Sequence, residues 1–165
     1  LPGNHDLLDG NSVYHRGPFR DKPANLHILS SAGGEAITLP ELTLDLWGRA
    51  MPAHTPAFQP LLGMPAKNPG RWLVAMAHGH FYLDGDIDVR SAPIRPNEVA
   101  QATCDYLALG HWDRPLDVSQ GDVKAAYSGA PLGPVGRSTQ VGVTVVDLHP
   151  SRGVEFQRVP VPEQG

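Results

Sequence analysis

Two nearly continuous apolar runs, each followed at once by glycine and histidine, constrain the fold of this chain most strongly. The first run, Arg71–Ala77, leads into His78–His80, and the second, Asp105–Leu109, leads into Gly110–Asp113. Short apolar runs of this length are typical of strands that are buried on both faces. We therefore expect a β-rich α/β fold in which two buried strands end in loops that carry imidazole and carboxylate groups.

Weaker strand signals precede these runs. Leu26–Leu29 and Ile37–Leu39 are short and β-like, and Leu42–Trp47 alternates apolar with polar residues, which predicts an antiparallel stretch. The segment Gly48–Gly70 contains five prolines and no sustained period. It is expected to be a surface loop with at most a short helix at Ala57–Leu62.

The second half of the chain predicts one brief helix and a hairpin. Asn97 is a candidate cap for a helix that reaches about Thr103. Ala125–Tyr127 is a short apolar run, and Gln140–Leu148 is expected to pair with Gly153–Val161 as a terminal hairpin. The 165 residues fit a single domain, and the 18 glycines and 17 prolines indicate long, rigid loops between short elements.

Charge and cysteine content exclude several classes of protein. Thirteen Lys and Arg against 17 Asp and Glu give a net charge of −4, which excludes a polycationic nucleic-acid surface but leaves local basic sites open. Cys104 is the only cysteine, so there is no intrachain disulfide and no cysteine-rich zinc site. No window reaches the ~18 consecutive apolar residues of a membrane span. We expect a soluble, cytoplasmic protein with no membrane partner.

Three polar clusters combine glycine with histidine, asparagine or aspartate. They are Gly3–Asp6, His78–His80 and Gly110–Asp113. Glycine lets the backbone approach an ion closely, and imidazole suits Zn, Fe, Mn and related divalent metals. Any one histidine alone is more simply explained as a capped loop residue or a satisfied core group. Three clusters together favour a hydrolytic metal centre.

The order of these clusters resembles the calcineurin-like metallophosphoesterases, whose signatures are DxH, GDxxD, GNHD/E, a lone histidine after a strand, and GHxH. Gly3–Asp6 reads GNHD, His78 follows a strand, and Gly110–Asp113 stands where GHxH is expected. The resemblance covers essentially the whole chain as the C-terminal half of the family's four-layer α-β-β-α sandwich. Neither DxH nor GDxxD precedes the GNHD motif in this sequence, so residues 1–165 are expected to be one N-terminally truncated domain of this kind.

The resemblance implies a set of metal ligands. Asn4, His78 and His111 correspond to ligands of one ion, and Asp113 takes the place of the second GHxH histidine, which binds the other. The implied cofactors are two divalent ions, with Mn favoured and Fe or Zn as alternatives. A carboxylate at position 113 is harder than imidazole, so it shifts the metal preference toward Mn or Mg.

The resemblance also implies the reaction, a phosphoester hydrolysis in which a hydroxide shared by the two metals attacks phosphorus. His5 corresponds to the catalytic histidine, which would hold and protonate the leaving oxygen. Asp6 would fix the tautomer of His5 by accepting its other N–H. Because no bridging carboxylate lies in the visible clusters, the isolated chain is expected to be nearly inactive.

Substrate contacts are assigned to His80, Arg114 and Arg137, each of which could equally be a solvated or loop-lining side chain. Ala108–His111 followed by Tyr127–Pro131 resembles the DNA-repair exonuclease branch of the family. The expected partner is therefore a phosphoester substrate, and DNA is one candidate. A homodimer is compatible with the sequence.

Two other functions stay open from the sequence. One is a non-catalytic relative in which the phosphoesterase fold serves as an interaction or scaffold domain, and Asp113 is the residue that favours it. The other is a mononuclear metal-binding module built from Asn4, His78 and His111.

Overall fold

The structure is a computed structural model that describes residues 1–131 and 142–161. In these ranges strands account for 32% of the residues and helices for 10%, so the predicted strand-rich α/β class is confirmed. The strands described are β1 Glu35–Leu39, β2 Leu44–Gly48, β3 Trp72–His78, β4 His80–Phe81, β5 Pro93–Ile94, β6 Tyr106–Gly110, β7 Leu116–Asp117, β8 Lys124–Tyr127, β9 Val143–His149 and β10 Gly153–Val159. The helices described are α1 Gly17–Arg20 and α2 Pro96–Ala100, with 3-10 helices at Val13–His15 and Pro40–Leu42.

A six-stranded mixed sheet dominates the fold, with strand order β1-β2-β3-β6-β8-β7. Strands β2, β3, β6 and β8 run parallel, whereas β1 and β7 run antiparallel to their neighbours at the two edges. The register pairs His78, the last residue of β3, with Gly110, the last residue of β6. The two predicted strands that end in polar loops are thus neighbours, and their loops leave the same edge of the sheet.

The main hydrophobic core packs on one face of this sheet. In β3 the side chains of Leu73, Ala75 and Ala77 are buried, while the residues between them are only half-buried. Trp47 from β2 and Leu107 from β6 belong to the same buried cluster. Burial on both faces was expected from the continuous apolar run. The strand shows alternation instead, because the second face of the sheet is only partly covered.

Several local predictions were wrong. Leu26–Leu29 is irregular rather than a strand, although Leu29 itself is buried. Ala57–Leu62 contains turns rather than a helix, which fits the presence of Pro60 within the segment. The helix α2 begins at Pro96, with Arg95 as its N-cap in place of Asn97, because proline is favoured in the first helical turn.

The C-terminal hairpin is confirmed in the described residues. Strands β9 and β10 pair antiparallel from Val143 opposite Val159 to His149 opposite Gly153. They form a separate two-stranded sheet, with the Phe156 ring 5.9 Å from the ring of Tyr106. Another two-stranded sheet pairs the dipeptide strands β4 and β5 in parallel, which the sequence pattern did not predict. Within the described residues, no helix has the length and apolar character to cross a bilayer.

Asp45 is one of two buried polar residues in the described ranges, and its environment explains why it is tolerated. Its carboxylate accepts hydrogen bonds from Asn68 Nδ2 at 2.8 Å and Arg71 Nε at 3.0 Å. The guanidinium of Arg71 also donates to the Leu44 carbonyl at 2.9 Å, which connects the start of β2 to the start of β3. Hydrogen bonds from Asn68, Thr38 and Arg71 together lower the pKa of Asp45, with the Asn68 hydrogen bond the largest cause.

Replacement of Asp45 by asparagine should remove one pH-dependent component of stability. Because the folded-state pKa of Asp45 is lowered, its contribution is complete above the unfolded pKa of about 4 and is lost as the pH falls through the lower folded value. Urea midpoints measured from pH 7 to pH 2.5 should therefore fall less steeply on acidification in Asp45→Asn than in the parent. Asp122→Asn, at an exposed position, is the control. Equal slopes in all three proteins would contradict this assignment.

Candidate metal centre

Three segments far apart in sequence bring one oxygen and two nitrogen atoms together at the carboxyl end of the central sheet. Asn4, in the loop that precedes the first helical turn, places its Oδ1 2.6 Å from Nε2 of His78. The same oxygen lies 3.3 Å from Nδ1 of His111. The two imidazole rings meet edge to face with centroids 5.4 Å apart. The structure therefore brings together the three predicted ligands Asn4, His78 and His111.

Glycines on both sides of His78 make this convergence sterically feasible. A Cβ atom on Gly3 would lie 2.5 Å from Nδ1 of His78, and one on Gly110 would lie 2.9 Å from the same atom. Real side chains essentially never approach so closely, so the imidazole occupies space that only glycine leaves open. The glycines of the GNHD and GH motifs are thus explained by the packing of one histidine ring.

His111 adopts a backbone conformation that is costly for a residue with a side chain. Its φ is 118°, in a region that is populated almost only by glycine. The residue directly follows β6, and its side chain contacts Asn4, His54, His78 and His80. Strain of this kind persists only where the surrounding structure enforces it, and it concentrates at functional sites.

Burial keeps both candidate imidazole ligands neutral near pH 7. It lowers the pKa of His78 to about 4, with the positive charge of a protonated His111 as the next largest cause. The pKa of His111 is also lowered, first by burial and then by His80. Neutral imidazole is the form that offers a lone pair to a metal. The imidazoles of His78 and His111 therefore carry little charge of their own near pH 7.

The donor atoms fit a single divalent cation. Ligands held about 2.1 Å from one ion at right angles to each other lie about 3 Å apart. The two measured separations from Asn4 Oδ1, 2.6 Å and 3.3 Å, bracket that distance. One amide oxygen and two imidazole nitrogens form a mixed donor set that suits Mn, Fe or Zn.

The predicted second ion finds less support in the described residues. Within them, no group of three or more His, Cys, Asp or Glu side chains is arranged to hold a metal, so Asn4 is essential to the cluster above. Asp113 is exposed, and its backbone carbonyl accepts from the Ala130 N–H at 2.8 Å. Its negative charge raises the pKa of His111, which places it near the cluster without direct contact.

His5 and Asp6 take different positions from those expected of a linked pair. His5 is exposed, and it lies close enough to act electrostatically on both His78 and His111, so it borders the cluster. Asp6 accepts from the Gly3 N–H at 2.8 Å and from the Tyr14 hydroxyl. Burial alone would raise the pKa of Asp6, but these two hydrogen bonds lower it overall. Asp6 thus fixes the turn that carries Asn4 and His5 rather than the tautomer of His5.

Two of the three predicted substrate residues, His80 and Arg114, contact the ring of Trp112. His80 lies edge-on to His111, with ring centroids 5.9 Å apart, and 5.4 Å from the ring of Trp112. The guanidinium of Arg114 is exposed and lies over the ring of Trp112 at 4.9 Å. Arg137 lies outside the described residues.

Two residues that sequence analysis overlooked also border the cluster. His54 lies in the proline-rich loop, with its ring 5.8 Å from that of His111. Arg90 lies in the loop between β4 and β5, and together with His54, His80 and His111 it lines a cleft of about 360 Å³. A second cleft, of about 290 Å³, includes Asn4 and His5. No spacing motif in the sequence marks His54 or Arg90 as a site residue. The only feature that could have indicated them is a histidine or arginine within a loop.

The steric role of Gly3 gives a direct test of this geometry. Gly3→Ala should displace the His78 imidazole and weaken Mn²⁺ binding by at least about 10-fold, the size of effect typical when a ligand's support is disturbed. Gly10→Ala is the matched control, because a Cβ there meets no atom within 4 Å. Isothermal titration of both variants checks the effect. Equal affinities would show that His78 is not held by this contact.

Comparisons with known proteins do not identify a family for this chain. No family model matches it, and neither a curated protein nor a solved structure does.

Proposed function

We propose that this chain is a metal-dependent phosphoester hydrolase of the calcineurin-like type. One observation carries the proposal: Asn4 Oδ1 lies within 3.3 Å of nitrogen atoms from both His78 and His111. These residues come from the three segments whose motifs resemble that family. An amide and two neutral imidazoles at the carboxyl ends of parallel strands form a site that would hold a divalent cation.

The bound cation would polarise a phosphoryl oxygen and acidify water, as divalent ions do in hydrolytic sites. The chain's own residues supply the remaining roles. His5 is exposed beside the ligands, where its imidazole can donate a proton to the departing oxygen near neutral pH. Asp6 and Tyr14 hold the turn that carries His5, so the imidazole is presented from a fixed backbone.

The finer fold assignment belongs to the same proposal. The six-stranded mixed sheet would be one of the two sheets of a four-layer α-β-β-α sandwich. The dinuclear centre would need donor atoms beyond those that the described residues bring together.

DNA is the candidate substrate that the exonuclease-like motifs favour. The exposed position of Asp113 favours the alternative, a non-catalytic scaffold domain, and the following experiments separate the two.

Metal binding is the first test. We expect the chain to bind one Mn²⁺ in isothermal titration, and Asn4→Ala, His78→Ala and His111→Ala each to weaken binding by at least about 10-fold, because each removes one of three ligands. His27→Ala is the matched control, since this histidine is exposed and outside the cluster. Absence of Mn²⁺, Fe²⁺ and Zn²⁺ binding would favour the scaffold domain.

Turnover is the second test, with bis(p-nitrophenyl) phosphate as an activated phosphodiester. We expect slow, Mn²⁺-dependent cleavage, because the described residues supply donors for one ion only. A DNA dinucleotide, whose alkoxide leaving group needs a proton, tests His5: His5→Ala should lower its rate toward that of buffer, within the ~10²–10⁴-fold range of general acid catalysis, while Mn²⁺ affinity is retained. Cleavage that is independent of metal, or a dinucleotide rate that is unchanged in His5→Ala, would contradict the proposal. Loss of Mn²⁺ in that variant would make His5 a ligand.

A further inference from the structure

The cleft next to His111 has a composition suited to an anion. It measures about 360 Å³ and is lined by His54, His80, Val89, Arg90, Ser91 and His111. Its polar lining consists of three imidazoles, one guanidinium and one hydroxyl, and no carboxylate lines it among the residues described. The acidic residues of the neighbouring loop, Asp84, Asp86 and Asp88, are exposed and lie outside the lining.

Arg90 is held in this cleft by contacts that leave part of its guanidinium available. The Tyr82 hydroxyl accepts from the backbone N–H of Arg90 at 2.9 Å and donates to the Asp88 carbonyl at 3.0 Å. One guanidinium nitrogen donates to the Asp88 carboxylate at 3.0 Å. Since guanidinium has five N–H donors in a planar fork, several can still bind phosphate oxygens in pairs.

Hydrogen bonds connect the segment that carries Arg90 and Ser91 to the loop that carries His54 and to strand β4. Ala92 is fully buried at φ 50°, and its N–H donates to the Thr55 carbonyl at 2.9 Å, next to His54. The Ala92 carbonyl accepts from the His80 N–H, also at 2.9 Å. Two loops and strand β4 are thereby joined around the cleft.

His80 provides a further polar atom with unmet bonding capacity. Its Nε2 is buried and has no hydrogen-bond partner among the described residues, with the nearest carboxylate oxygen, from Asp86, 3.6 Å away. The side chain is wedged among the rings of Tyr82, His111 and Trp112. Asp86 is the charged group nearest to this atom, and a phosphate oxygen that takes the place of its carboxylate would complete the hydrogen bonding of His80.

We propose that this cleft binds a phosphate group of the substrate and that Arg90 is its anchoring residue. The inference rests on the proposed phosphoester hydrolase function, because the cleft opens beside the His111 ligand. A phosphate is favoured over a carboxylate because the guanidinium, His54 and Ser91 offer donors from several directions. Arg90 therefore contributes to substrate affinity without serving as a metal ligand.

The test is titration of the metal-free chain with inorganic phosphate. We expect Arg90→Ala to weaken phosphate binding by about 10-fold or more, and Arg90→Lys to weaken it less, because lysine keeps the charge but loses the fork. Asp88→Asn should strengthen binding several-fold, since it removes a competing anion from the guanidinium. Arg20→Ala, at an exposed position on α1, is the control and should bind like the parent.

The paired variants separate anion binding from a structural role of Arg90. If Arg90 only paired with Asp88, both Arg90→Ala and Asp88→Asn would break the same ion pair and change affinity alike, which would overturn the inference. Phosphate affinity that is unchanged in Arg90→Ala would also overturn it.

Mn²⁺ titration of the same variants keeps this result distinct from the proposed function. Arg90→Ala should retain the parent's Mn²⁺ affinity. A chain that binds phosphate through Arg90 but binds no divalent metal would refute the hydrolase and leave the anion site. A chain that binds Mn²⁺ but no phosphate would refute the anion site and leave the proposed hydrolase.

Discussion

The parallel pairing of β3 with β6 is the constraint on which the site depends. Because His78 and Gly110 are register partners, the loops after both strands start from the same edge, one interstrand spacing apart. The Gly79 N–H donates to the Gly110 carbonyl at 3.2 Å, and the buried Tyr127 hydroxyl donates to the Gly79 carbonyl at 2.7 Å. Gly79, between His78 and His80, is thus hydrogen-bonded to both β6 and β8. A change of register would move His78 away from His111.

Burial and glycine placement then decide the chemistry of that edge. The His78 imidazole lies between Gly3 and Gly110, where partial burial disfavours its protonated form. In an exposed loop the same histidine would titrate near its ordinary pKa and would be partly charged at pH 6. The steric and electrostatic effects therefore act together: the contact that fixes the ring also keeps its lone pair available.

The sequence predicted this edge better than its surroundings, for a physical reason. The burial of runs such as Arg71–Ala77 can be predicted from their apolar residue types alone. Both central strands and the glycine-histidine loops after them were therefore predicted close to their observed positions. His54 and Arg90 reach the same edge through the Thr55 to Ala92 hydrogen bond, a long-range contact that leaves no periodic trace. Asp6 was misassigned similarly, because its partner Tyr14 is eight residues away and only the folded turn makes the pairing visible.

The absence of a carboxylate from the Asn4, His78 and His111 donor set has a consequence for any ion held there. Neutral ligands leave the full charge of a divalent cation uncompensated, whereas carboxylate ligands would cancel part of it. The nearest acidic side chain of the GNHD turn, Asp6, is engaged by Gly3 and Tyr14. Such a cation would attract a phosphoryl oxygen strongly, and the cleft that contains Arg90 lies on the adjoining side of His111. A cation at the donor set and the Arg90 guanidinium would together match a ligand whose negative charge is spread over several oxygens, as it is in a phosphoester.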